Sequence, residues 1–168
     1  HDLMKVSLTA YSWTAILGGI LLFTFITLFP GFFKYMATIF RPVMHVYALM
    51  FLAESGVLYV YYYGWDKMND GGFMKWIHCS LSVLLNLIGT VLMYLANSWA
   101  TFMQAPGGID EQGRFLGNIW HVIHSTLWNP VGVHRILGNI VFGGGIVGAY
   151  AAYHYLTAKD EETKAHYD

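Results

Sequence analysis

VGVHRILGNIVFGGGIVGAYAAYHYLT, residues 131–157, is the stretch whose reading decides the fold. Between Arg135 and Lys159 it holds no Asp, Glu, Lys or Arg, and glycine and alanine recur through it. About 20 mostly apolar residues are enough for a helix to cross a bilayer. Glycine is far better tolerated in membrane helices than in soluble ones. The segment therefore reads as a transmembrane helix with a histidine near its start.

Three more stretches share this character. No charged residue lies between Lys5 and Lys34, between Arg41 and Glu54, between Glu54 and Asp66, or between Lys75 and Asp110. Helix-breaking pairs and polar turns divide them into spans of about 6–29, 43–65, 73–99 and 131–157. Pro30-Gly31 ends the first, and 66–72 separates the second from the third. Of 168 residues, 56% are hydrophobic and 11% charged, where a soluble domain carries roughly 25% charge. The expected fold is all-α, an integral membrane four-helix bundle forming one domain, with the lipid bilayer as its main surroundings.

Within the link 100–130, Phe115, Ile119, Trp120, Ile123 and Leu127 recur at helical spacing, predicting a short amphipathic helix at the membrane interface. The tail from Lys159 to Asp168 is charged and expected to fray. The single cysteine, Cys79, excludes an internal disulfide, a CxxC metal site and a CxxCH haem-attachment motif. A net charge of −1 argues against nucleic acid as a partner. The chain starts at His1 with neither Met nor a signal-peptide pattern, so residues are expected before it.

Four antiparallel spans put Lys5, Lys67, Lys75, Lys159 and Lys164 on one side and Lys34, Arg41, Arg114 and Arg135 on the other. The positive-inside rule favours the lysine side as cytoplasmic. The expected location is a bacterial inner membrane.

Histidine suits a lipid-facing position poorly and is the usual axial ligand of haem iron. At about 100° per residue, His134 shares a stripe with Gly138, Gly145, Gly148 and Ala152. Such a stripe either packs another helix closely or leaves room for a flat macrocycle, and the histidine at its head favours the macrocycle. His45 opens the second span, so His45 and His134 form the expected axial pair for one haem b. Arg135 and Arg41 are the expected propionate or loop partners. Alternatively, His45 is an interfacial histidine bonded to a loop.

His78 aligns with Ser82, Gly89 and Ala96, and His154 lies near the same level. A second haem held by those two histidines is conceivable. However, His154 points about 200° away from His134 on the same helix, which favours an interfacial role. His121 and His124, spaced i,i+3, could line a quinone or propionate pocket or be solvated. Two histidines without a carboxylate make an incomplete metal site.

Glu54 is the only acid inside a span. Placing a charge there costs about 2.5–3.5 kcal/mol on insertion scales. It reads either as a proton-handling carboxylate or as a structural group bonded to Ser or Asn of a neighbouring helix, such as Asn86. Tyr59, Tyr61, Tyr62, Tyr63 and Trp65 read as an interfacial aromatic belt.

Phe51-Leu52-Ala53-Glu54-Ser55, followed by Gly64-Trp65-Asp66-Lys67-Met68, resembles subunit I of the cytochrome bd quinol oxidases. Leu95-Ala96-Asn97-Ser98-Trp99 and Asn129-Pro130-Val131 with Arg135 extend the resemblance in the same order. It covers nearly the whole chain, matched to the second through fifth helices of a longer subunit. It implies haem b ligation, a proton path, quinol as electron donor and oxygen as acceptor. Glu54 falls on a proton-path glutamate of that family, while Val46 replaces its companion acid. The family's haem-ligating histidine falls on Gly138, with His134 one turn earlier, which implies a re-sited haem.

Together these expectations describe a haem b subunit of a multi-subunit respiratory complex, moving electrons between the quinone pool and a partner subunit. A cofactor-free anchor or assembly subunit is the alternative, and a fragment of a quinol-oxidising terminal oxidase is a third.

Overall fold

The computed structural model describes residues 2–68 and 71–168. Among the described residues eight helices follow one another: α1 Asp2–Leu28, α2 Pro30–Ile39, α3 Arg41–Tyr63, α4 Trp65–Met68, α5 Gly72–Gln104, α6 Ile119–Ile123, α7 Trp128–Thr157 and α8 Glu161–Tyr167. Four of these, α1, α3, α5 and α7, are long and apolar enough to span a membrane. The chain is an all-α integral membrane protein.

Helix α5 is the axis of the bundle, and α3 and α7 each pack mainly on it. Close approach to α7 depends on Gly132. A Cβ there would lie 2.5 Å from Tyr94 Cε1 on α5, so the missing side chain lets the ring lie against the α7 backbone. Helix α1 is more loosely held. Tyr11 stacks on Phe51 of α3 with ring centres 5.8 Å apart, and Phe25 meets Trp99 of α5 edge-on at 6.4 Å. The start of α1 and the end of α7 share one side of the bundle, where Asp2 is within electrostatic reach of His154 and Lys5 of Tyr150.

The buried apolar core sits at the opposite end, not at mid-bundle. Met36, Ile39 and Phe40 from the α2 segment, Val43 of α3, Phe102 of α5 and Val122 and Ile123 of α6 form one cluster. At a water-facing end burial of apolar surface is favourable, whereas lipid gives spans no such drive to hide apolar side chains from it. Large apolar groups along the spans accordingly point outward, Val141 at 75% and Leu156 at 80% exposure.

Several expected boundaries move. Pro30 opens α2 instead of only closing α1, because proline lacks an N–H that the first turn does not need. Helix α5 runs on to Gln104, past the expected end at 99. The interfacial helix is shorter than the pattern over 115–127 suggested. Only Ile119–Ile123 is helical, capped by the Asn118 side chain accepting from Trp120 N–H. Residues ahead of it form a turn around Asp110, whose carboxylate accepts from the backbone N–H groups of Gln112 and Arg114 and from Arg114 Nε. The tail does not simply fray. The Asp160 side chain caps α8 by accepting from Thr163 N–H, and α8 packs on α7.

Candidate functional site

His45 lies in an open groove of about 470 Å³ where α2 passes into α3. The junction residue Phe40 keeps near-helical angles, φ −92° and ψ 11°, so Lys34, Ala37, Thr38, Arg41 and His45 stay on one continuous face. Phe33 and Met44 complete the lining. Ion pairs among the described residues join Lys5 with Asp2, Arg114 with Asp110 and Lys164 with Glu161. Lys34 and Arg41 thus have no carboxylate partner among the described residues. An imidazole, two cations without a carboxylate partner among the described residues and an apolar wall would suit an acidic porphyrin, His45 offering nitrogen to iron and Lys34 and Arg41 offering charge to propionates. Sequence reasoning singled out Arg41 and His45 but missed Lys34, which lies in the link between the first two expected spans and whose signal was its i,i+7 spacing to Arg41.

His134 and His45 are not brought together. Helix α3 meets α5 through Glu54, Leu58 and Tyr61, and His45 lies roughly opposite that face. Helix α7 meets α5 through Trp128, Gly132 and Asn139, and His134 points away from it. Both histidines are exposed, so a single haem clasped by the two inside this chain does not fit. Each faces a surface that lipid or another polypeptide must cover. Below His134, added Cβ atoms on Gly138, Gly145 and Gly148 would meet nothing within 4 Å. That open strip fits a flat group, although Val141 projects from the same face. Arg135, exposed beside His134, has no carboxylate partner among the described residues.

His78, His124 and His154 are taken up by local contacts. His78 is buried, with Nε2 3.0 Å from the Tyr61 carbonyl oxygen. Its ring stacks on Tyr61 at 4.2 Å and meets Trp65 edge-on at 4.9 Å. Two of the residues read as an aromatic belt therefore form a cage that locks α3 and α4 to α5. His154 packs against Tyr150 and, across to α8, stacks on Tyr167 at 4.8 Å. His78 and His154 are thus held in separate contacts and do not form a second pair. His124 Nδ1 lies 2.9 Å from the Trp120 carbonyl oxygen, and His121 is exposed. No group of three or more His, Cys, Asp or Glu converges on a metal site among the described residues.

Glu54 is half-buried, with its carboxylate turned onto the backbone of α5 at Gly89. A Cβ on that glycine would lie 3.1 Å from Glu54 Oε1. The expected bond from Asn86 is absent. That amide donates to Ser82 O of its own helix at 2.9 Å, satisfying itself locally. Next to Glu54, the Ser55 hydroxyl and Tyr11 hydroxyl are 2.7 Å apart, joining α3 to α1. Tyr11 and Tyr47 are both electrostatic neighbours of Glu54.

No curated protein and no solved structure matches the chain at a significant level. The profile of the family described as cytochrome bd terminal oxidase subunit I matches residues 3–167, which include all four spans, Glu54 and the His45 groove. The chain belongs to the cytochrome bd terminal oxidase subunit I family and is a membrane component of the quinol-oxidase type.

Proposed function

We propose that this chain is a haem b-binding electron-transfer subunit of a bacterial inner-membrane respiratory complex, carrying electrons between the quinone pool and a partner subunit. The observation that carries the reading is the His45 groove, where one imidazole, two cations without a carboxylate partner among the described residues and an apolar wall share a face. Haem b bound there would supply a one-electron relay. His45 would hold the iron, and Lys34 and Arg41 would neutralise the propionates. Because the groove is open, any further ligand and the far wall would come from outside this face, as in a subunit of a larger assembly. His134 above its glycine strip is a second outward-facing ligand position, with Arg135 as its propionate partner.

Glu54 is the proton-handling group in this reading. It sits within a span beside the Tyr11–Ser55 hydrogen bond and has no hydrogen-bond partner of its own among the described residues. An ionisable group kept inside a membrane without a structural partner is more economically explained by function than by packing.

The test is a reduced-minus-oxidised visible spectrum of the purified complex, with His45→Ala and His134→Ala variants. A b-type signal lost or shifted in His45→Ala, in an intact complex, is the expected result. An unchanged signal in both variants would overturn ligation by this chain and leave the cofactor-free anchor.

A further inference from the structure

Asn97 is fully buried, yet neither its side-chain oxygen nor its side-chain nitrogen has a hydrogen-bond partner among the described residues. Its neighbours on α5 solve the same problem within the helix. Ser98 donates to Leu95 O, and Thr101 donates to the backbone carbonyl of Asn97 itself. Asn86, about three turns earlier in span α5, folds back onto Ser82 O. Asn97 makes no such bond to Met93 O, so its amide is directed away from its own helix.

Ser125, in the corner between α6 and α7, has the same deficit, with a buried Oγ and no partner among the described residues. Trp128 links the two positions. Its indole N–H donates to Tyr94 O, three residues before Asn97, and its backbone N–H donates to Ser125 O. Asn97 shares the α5 face of Tyr94 and Thr101, which is the face turned to this corner.

Buried polar groups in folded proteins find partners, and where protein supplies none an internal water usually does, making about three hydrogen bonds. The pair presents one amide donor, one amide acceptor and a hydroxyl that can play either part. A bridging group must therefore both donate and accept. The surroundings of α6 are tightly packed. The loop over α6 presses close, since a Cβ on Gly107 would lie 3.1 Å from His121 O and one on Gly108 2.8 Å from Val122 Cγ2. We infer that Asn97 and Ser125 share an internal water-binding site that ties α5 to the α6–α7 corner beneath the loop preceding α6.

The experiment is a mutant cycle read as the thermal midpoint of the intact complex in nanodiscs, with Asn97→Leu, Ser125→Ala and the double variant. A shared water predicts that each single variant lowers the midpoint by about 2–4 °C and that the double variant falls no further than the worse single. Additive losses, or an Asn97→Leu midpoint at or above wild type, would overturn the site. Should Asn97→Leu not assemble, Asn97→Ser and Asn97→Ala take its place in the comparison. A serine keeps a donor and an acceptor for water, so it should outlast alanine; equal losses in the two would also refute the inference.

Discussion

Gly132→Ala puts the close contact between α5 and α7 to a direct test. The new methyl carbon would stand 2.5, 2.8 and 3.0 Å from Tyr94 Cε1, Cζ and Oη. Carbon atoms settle at about 3.5–4.0 Å, so the ring must retreat by about 1 Å. It has little freedom to do so. Tyr94 is held edge-on to Trp128 at 5.1 Å, and the Trp128 indole is hydrogen-bonded to the Tyr94 carbonyl at 2.9 Å. Overpacking of this kind costs about 1–3 kcal/mol, roughly a 5- to 150-fold loss in the equilibrium for keeping α7 docked. Gly18→Ala on α1 is the control, because a Cβ there meets nothing within 4 Å and alanine is the better helix former. Thermal denaturation of the purified complex in nanodiscs should show a clear loss for Gly132→Ala and none for Gly18→Ala. Wild-type stability in Gly132→Ala would refute the packing argument.

Glu54→Gln keeps the shape of the side chain and removes its ionisation, so haem content and assembly should be retained while quinol-linked turnover falls. Wild-type turnover in a well-assembled Gln variant would remove the proton role. The turn around Asp110 should respond to acid. Hydrogen bonds from the Arg114 and Gln112 backbone, with the Arg114 guanidinium, hold this carboxyl below the ordinary aspartate range. A depressed acid contributes stability above its unfolded value, and that contribution is lost as pH falls through the folded one. Hydrogen-exchange protection of residues 108–116, corrected for intrinsic rate, should hold from pH 7 to 5 and weaken only below about pH 4. Asp110→Asn should weaken it already at neutral pH, and unchanged protection in that variant would refute the role given to the carboxylate.

Hydropathy and charge spacing alone determined that the chain is a four-span helical membrane protein, because a span's apolar length is a local property of consecutive residues. The same locality exposed Glu54 as an isolated intramembrane acid and brought out the family resemblance. Which histidines converge was a different matter. A stripe such as His134, Gly138 and Gly145 states which side of a helix a residue occupies but not what that side faces. Only the packing of α3 and α7 onto α5 shows His45 and His134 turned outward and His78 caged by Tyr61 and Trp65. Likewise, Lys34 joined Arg41 and His45 only once helix α2 continued their face through the Pro30 start and the Phe40 junction. In sequence Asn97 belongs to one of the resemblance motifs near a span's end, with nothing to mark it as buried. Its amide, buried and without a hydrogen-bond partner among the described residues, comes to light only in the packing, where Trp128 of α7 bonds to Tyr94 one turn earlier on α5.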